Sequence, residues 1–207
     1  MKSIKILATF CVIFCAPLIM AADFKKDINY SILEKNFIEN TKSKKIEVIE
    51  FFMYSCPHCF QFEPYLADWL KNKPKNISFQ KVPAIFGGPA NLHARTFYSL
   101  EALGVKKDIH SDLFEEIHVR NNSLRNIESI EIFLEERGID ISDFRSAMNS
   151  FAVKAKIDQA EKLMEVYKIR SVPKIVVNRK YKTEQVRTYQ EIIDLTNYLI
   201  MRVKMGK

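Results

Sequence analysis

Cysteine is scarce in this 207-residue chain, with four in all. Only Cys56 and Cys59 form a Cys-x-x-Cys pair, and no second such pair exists to complete a four-ligand zinc site. That absence leaves half of a structural zinc site as the weaker reading of the pair. Low-complexity segments and internal repeats are also missing. So is any clustered basic stretch: 32 Lys and Arg against 25 Asp and Glu give a net charge of +7, yet Lys42, Lys44 and Lys45 are the only tight group. A nucleic-acid surface needs its cations gathered on one face. The lysines therefore read as a solvated exterior, and no nucleic-acid partner is expected. The longest uncharged stretch, Ile6 to Ala22, has 17 residues against the ~20 that cross a bilayer.

That stretch has the make-up of an export signal. Lys2 and Lys5 precede it, Pro17 lies near its end, and Ala21-Ala22 supply small residues before Asp23. Residues 1–22 are expected to be removed, with the cut after Ala22 or Ala21. An uncleaved N-terminal anchor is the alternative. Phe14 is too large to precede a lipidated Cys15. Cys11 and Cys15 leave with the signal, and the net charge falls to +5. The 185 residues that remain suffice for one buried core with an insertion, or for two small domains. An exported chain whose only cysteines are Cys56 and Cys59 has no disulfide framework, so its one pair is read as a working pair where disulfides persist. A structural bridge there closes too small a loop to constrain much of the unfolded chain.

The surroundings of the pair give it chemistry. Ile46 to Phe52 reads as a buried strand, and a helical pattern runs from Phe60 to Asn72 with Phe62, Leu66, Trp69 and Leu70 on one side. Cys56-Pro57-His58-Cys59 thus falls where a strand becomes a helix. The free N–H groups and partial positive charge of a helix start favour an anion. Cys56, the outer sulfur, is expected to be the attacked one, and Cys59, one turn further in, its resolving partner. Pro57 fits the first helical position, where its missing donor costs nothing. His58 adds positive charge beside Cys56 when protonated and a hydrogen bond when neutral; a solvated loop histidine is the alternative. Each unit taken off the Cys56 pKa favours the thiolate by about 1.4 kcal/mol, equivalent to ~30 mV for a two-electron couple. His93, His110 and His118 read as surface or packing residues.

The remaining elements order themselves by pattern. Ile77 to Val82 is a second strand, and Pro83, Gly87, Gly88 and Pro89 mark a loop. Ala90 to Lys168 is helical almost throughout, with Gly104 and Gly138 at helix ends. Ile175–Asn178 and Tyr181–Val186 are two strands joined by a tight turn, and Glu191–Val203 is a closing amphipathic helix. Pro64 predicts a kink in the first helix. Strand, helix, strand, helical block, strand, strand, helix gives an α/β thioredoxin fold with an inserted α-helical domain. The expected division is 23–82 with 170–207 for the thioredoxin-like domain and 83–169 for the insertion.

Four stretches resemble the DsbA family of periplasmic thiol oxidases. They are Glu50-Phe51-Phe52; Cys56-Pro57-His58-Cys59 with Gln61-Phe62-Glu63; Asn149-Ser150-Phe151 with Val153-Lys154; and Ser171-Val172-Pro173 leading to Val177-Asn178 and Lys180-Tyr181. The resemblance implies a cis Val172–Pro173 peptide facing the sulfurs, whose backbone pairs with an extended substrate; a trans proline opening a strand is the plain alternative. It also implies that Glu50 accepts a proton near Cys59, with Glu63 in the same acidic neighbourhood. An outward-facing edge position is the other reading of Glu50. No role carries over to Lys81, and Tyr181 to Arg187 match loosely.

The resemblance further implies the direction of the chemistry. The chain donates its Cys56–Cys59 disulfide to unfolded exported proteins with free thiols, in the periplasm, and is reoxidised by a DsbB-like membrane quinone reductase. It needs no metal and no organic cofactor, and a monomer is expected. Three rivals stand beside it: an isomerase or reductase working from the reduced pair, a holdase using the helical block, and a glutathione-transferase relative.

Overall fold

The computed structural model describes residues 24–33, 45–105 and 108–206. The signal expected over 1–22 lies outside these residues, as do Lys42 and Lys44. Among the described residues, five strands make one sheet: β1 (Tyr30–Ile32), β2 (Ile46–Phe52), β3 (Ile77–Pro83), β4 (Lys174–Val177) and β5 (Tyr181–Thr183). Their spatial order is β1-β5-β4-β2-β3. The β2–β3 pair is parallel and is joined through helix α1 (Pro57–Asn72); the pairs β2–β4, β4–β5 and β1–β5 are antiparallel. Among the described residues between β3 and β4 lie five helices: α2 (Pro89–Ala102), α3 (Asp108–His118), α4 (Ile127–Glu135), α5 (Ile141–Met148) and α6 (Phe151–Val166). Helix α7 (Tyr189–Lys204) follows β5. The fold is a thioredoxin fold with a helical insertion.

Strand alternation sorts the core into layers. Ile46 and Val48 of β2, with Ile175 and Val177 of β4, pack with Phe62, Leu66 and Trp69 of α1 and with Leu195 and Leu199 of α7. Ile49, Phe51 and Val176 point the other way, into a cluster with Ala94 and Tyr98 of α2 and Val153, Ile157 and Ala160 of α6. A third cluster joins Phe52, Tyr54 and both cysteines to Leu113 and Phe114 of α3 and to Ile130, Phe133 and Phe144. Each fully buried aromatic or aliphatic side chain in these layers is worth about 1.5–3 kcal/mol. Trp69 Nε1 donates to Asn197 Oδ1 at 2.8 Å and ties α1 to α7.

Several boundaries differ from the sequence expectation. Helix α1 begins at Pro57 and passes through Pro64 as one element. The stretch Ala90–Lys168 is broken into five helices. Each of the last three starts on a side-chain cap: Asn126 accepts from Ser129 N–H, Asp140 from Asp143 N–H, and Ser150 from Val153 N–H. Strand β5 stops at Thr183. Strand β1 had no counterpart in the sequence reading, because three residues among polar neighbours carry too little alternation to be told from a loop. It pairs Tyr30 with Thr183 and Ile32 with Tyr181.

Candidate active site

Helix α1 has no side-chain cap at its start. Cys56 occupies the N-cap position in extended conformation (φ −90°, ψ 115°), with Pro57 in the first turn. Its carbonyl accepts from the N–H groups of Cys59 and Phe60, both at 3.1 Å. Cys56 is 8% exposed and Cys59 is fully buried; both are free thiols. The Cys56 Sγ lies 3.6 Å from the Val172 carbonyl oxygen, and the Val172–Pro173 peptide is cis, as the resemblance implies. Beside them is a groove of about 320 Å³ lined by His58, Val172, Pro173, Thr188, Tyr189 and Ile192, among others.

The two sulfurs have opposite electrostatic settings. The Cys56 thiol is drawn down to about 6. A hydrogen bond from the Cys59 thiol contributes most. The backbone N–H groups of Cys59 and His58 and the His58 charge add to it, against the opposing effect of burial. A value near 6 leaves roughly nine in ten of these sulfurs ionised at pH 7. Cys59 is pushed far up by burial, by its hydrogen bond to Cys56, and by the Cys56 and Glu50 charges.

Behind Cys59 is a buried ionic cluster. Glu50 is fully buried on β2, paired in register with Lys81 on β3. Its position on an interior strand removes the edge-residue alternative. Lys81 Nζ donates to Glu50 Oε2 and to Glu63 Oε1, both at 2.6 Å. Glu63 stands four residues after Cys59 on α1, hence on the same helix face. Burial raises Glu50 to about 7 even against the Lys81 charge. For Glu63 burial acts in the same direction, but its contacts with His110 and Lys81 prevail and hold it near 2. Burial also pushes His110 below the usual histidine range, so at neutral pH its ring is neutral and Lys81 is the cation that keeps Glu63 ionised. One oxygen, Glu50 Oε1, has no hydrogen-bond partner.

The histidines of the helical insertion are more than packing. His110 Nδ1 is 2.8 Å from the Tyr54 hydroxyl, and its Nε2 is 3.4 Å from Glu63 Oε2. Tyr54 is buried and its pKa is raised far above the usual phenol value by burial and by the Glu63 charge, so it stays protonated and donates to Nδ1. The proton of the neutral ring is then on Nε2, which lies near Glu63 Oε2 but makes no hydrogen bond of good geometry to it. His118 Nε2 donates to the Tyr54 carbonyl at 2.7 Å, and its ring stacks on Phe60 at 5.1 Å. His93 donates to the Leu124 carbonyl at 2.9 Å and meets the Tyr54 ring edge-on at 6.2 Å. By sequence, Lys81 has no role, these histidines read as surface or packing residues, and Tyr54 is not singled out. Lys81 alone left a usable trace there: Glu50 and Lys81 are the fifth residues of two apolar strands, and parallel register sets fifth against fifth.

His58 and Pro57 are exposed at the rim. The His58 ring is engaged by Tyr189 of α7, 2.9 Å from Nδ1 to the hydroxyl. Among the described residues, no group of three or more His, Cys, Asp and Glu side chains could hold a metal.

A CxxC at the start of a helix, one sulfur poised to ionise and the other sealed beneath it on a thioredoxin sheet, defines a thiol:disulfide oxidoreductase. The chain belongs to the DsbA-like thioredoxin family: the DSBA-like thioredoxin domain matches residues 47–194. The thiol:disulfide interchange protein DsbA of Pseudomonas aeruginosa is 40% identical over 158 residues, 75% of each chain. That of Azotobacter vinelandii is 45% identical over 138 residues, 67% of this chain and 64% of its own. The crystal structure of Pseudomonas aeruginosa DsbA superposes with a TM-score of 0.83 at 36% identity, covering 90% of this chain and 97% of that one. The oxidoreductase NmDsbA1 from N. meningitidis gives 0.76 at 26% identity, covering 89% and 96%.

Proposed function

We propose that this oxidoreductase works as a disulfide donor to exported, folding proteins. One observation carries the reading: Cys56 is lowered to about 6 while Cys59 is pushed upward. A site that stabilises the reduced, ionised pair makes the corresponding disulfide a strong oxidant.

The cycle starts from a Cys56–Cys59 disulfide. A client thiolate attacks Cys56 Sγ, the S–S bond breaks, and the electron pair leaves on Cys59, which takes up a proton. A second client thiolate attacks its own sulfur in the mixed disulfide and expels Cys56 as a thiolate. The client leaves oxidised by two electrons and the protein holds them as a dithiol. The groove beside Val172 and Pro173 supports their role in lining up an extended client, with the Val172 backbone offering hydrogen bonds. Glu50, raised to about 7 and adjoining the buried cysteine, suits the proton exchange at Cys59 that both half-reactions need. Lys81 and Glu63 set the charge around it. His58 and Pro57 shape the thiolate's surroundings.

Residues 1–22 act in this reading as a cleaved signal directing a monomer to the periplasm. Residues 23–82 and 170–207 are its thioredoxin-like domain and 83–169 its helical insertion. A membrane quinone reductase of the DsbB kind restores the disulfide. The deciding measurement is the equilibrium of the mature protein with glutathione, alongside the Cys56 titration followed by thiolate absorbance near 240 nm. A donor is mostly reduced in buffers where a reductase is mostly oxidised. A Cys56 that titrates as an ordinary thiol, with a disulfide hard to reduce, transfers the protein to the reductase or isomerase class.

A further inference from the structure

The dithiol rim holds a hydrogen-bonded chain that the exchange reaction as described does not use. Tyr189, the first residue of α7, lies far from the CxxC in sequence, yet its hydroxyl joins two residues of the active-site helix. It donates to Gln61 Oε1 at 2.5 Å and sits 2.9 Å from His58 Nδ1. A hydroxyl has one proton, and here Gln61 takes it. His58 Nδ1 must then be the donor to the tyrosine oxygen, which fixes both the tautomer and the orientation of the imidazole. Tyr189 itself is held in place: its ring packs against Tyr65 at 5.9 Å and against His58 at 6.4 Å, and Thr188 caps the helix that carries it. The same ring forms one wall of the groove beside Val172 and Pro173.

We propose that Tyr189 is a positioning residue for His58, and through His58 for the Cys56 thiolate. His58 is exposed and stands on the first turn of α1, so by itself its ring is free to swing into solvent. In the neutral ring the one N–H is committed to Tyr189, so what His58 offers the sulfur is the positive charge of its protonated form, and that charge helps only while the ring stays near. The Tyr189 hydroxyl supplies the restraint from a different element, and Gln61 keeps that hydroxyl turned the right way. The proposal rests on the reading of Cys56 as the sulfur whose ionisation drives the reaction.

The test is Tyr189→Phe, which keeps the ring packing and removes only the hydroxyl. The Cys56 titration and the glutathione equilibrium are measured on the mature protein, alone and in a His58→Ala background. The expected result is an upward move of the Cys56 pKa by roughly half a unit and an equilibrium shifted about threefold toward the disulfide, the scale of one modest hydrogen bond. In the His58→Ala background the same change has no further effect. A second variant, Gln61→Leu, frees the tyrosine proton and moves both readouts the same way by a smaller factor. An unchanged or lowered Cys56 pKa in Tyr189→Phe overturns the proposal, as does an effect of equal size without His58. A wild-type Cys56 that titrates normally overturns the donor reading instead, so the two failures are told apart.

Discussion

Cys56 and Cys59 are the same residue type three positions apart, and the fold treats them as different chemical groups. Around Cys56 are the open donors of a helix start, a peptide carbonyl, and the groove. Around Cys59 are the apolar residues of the third cluster and, behind them, a carboxyl, an ammonium and a carboxylate locked together. The first setting favours the anion. The second disfavours it and sets beside it a carboxyl whose pKa burial has raised to about 7. The difference teaches that a reactive dithiol requires unequal sulfurs, one that leaves easily and one that stays neutral until it is needed.

The contrast breaks most completely by deleting a sulfur. Cys56→Ser abolishes exchange, whereas Cys59→Ser still forms a mixed disulfide but cannot resolve it. Mass spectrometry after incubation with a disulfide-bonded peptide distinguishes the two. Next in size is Lys81→Met, which leaves two carboxyl groups facing each other without their shared cation. Breaking a buried ion pair from one side costs about 3–5 kcal/mol, read as a lower urea midpoint. Glu50 should then bind its proton more tightly still.

Solution pH sharpens the same comparison. Glu63 holds its carboxylate near 2 against an ordinary 4.5, so the unfolded chain binds the extra proton and stability rises between about pH 2 and 4.5. Glu50 goes the other way: folded, it keeps its proton up to about 7, and stability falls between about 4.5 and 7. Urea unfolding of reduced Glu50→Gln across that range should lack the fall. The reduced wild type then gains stability from about pH 6 to 9, where folded Cys56 is ionised and an unfolded thiol is not. The oxidised protein shows no such gain, which melting curves of the two forms can test. The smallest effect expected is that of Tyr54→Phe, which removes one hydrogen bond to His110 and costs about 1 kcal/mol of unfolding free energy.

The parts legible in the sequence were those written locally. A buried β2 followed by CxxC and an amphipathic α1 is a continuous pattern, and so is the helical stretch after β3. Cys56, Cys59, Val172 and Pro173 do converge, but only the family resemblance linked positions 116 residues apart. Lys81 and His110 stayed hidden because their meaning is tertiary. A lysine two residues before a proline looks like part of the solvated exterior until β3 is set parallel beside β2 and its ammonium meets Glu50. A histidine on an amphipathic helix looks like packing until α3 is placed over the strand end. Tyr189 was invisible for the same reason: nothing in α7 announces that its first residue touches the CxxC.

Tyr54 gives the architecture a mechanical side. Its hydroxyl, its carbonyl and its ring are each met by a different histidine, two from α3 and one from α2. The short peptide that carries Cys56 is therefore bolted to the helical bundle as well as to the strand it leaves. The bundle serves as an abutment: the aim of the outer sulfur is set by those helices as much as by the sheet.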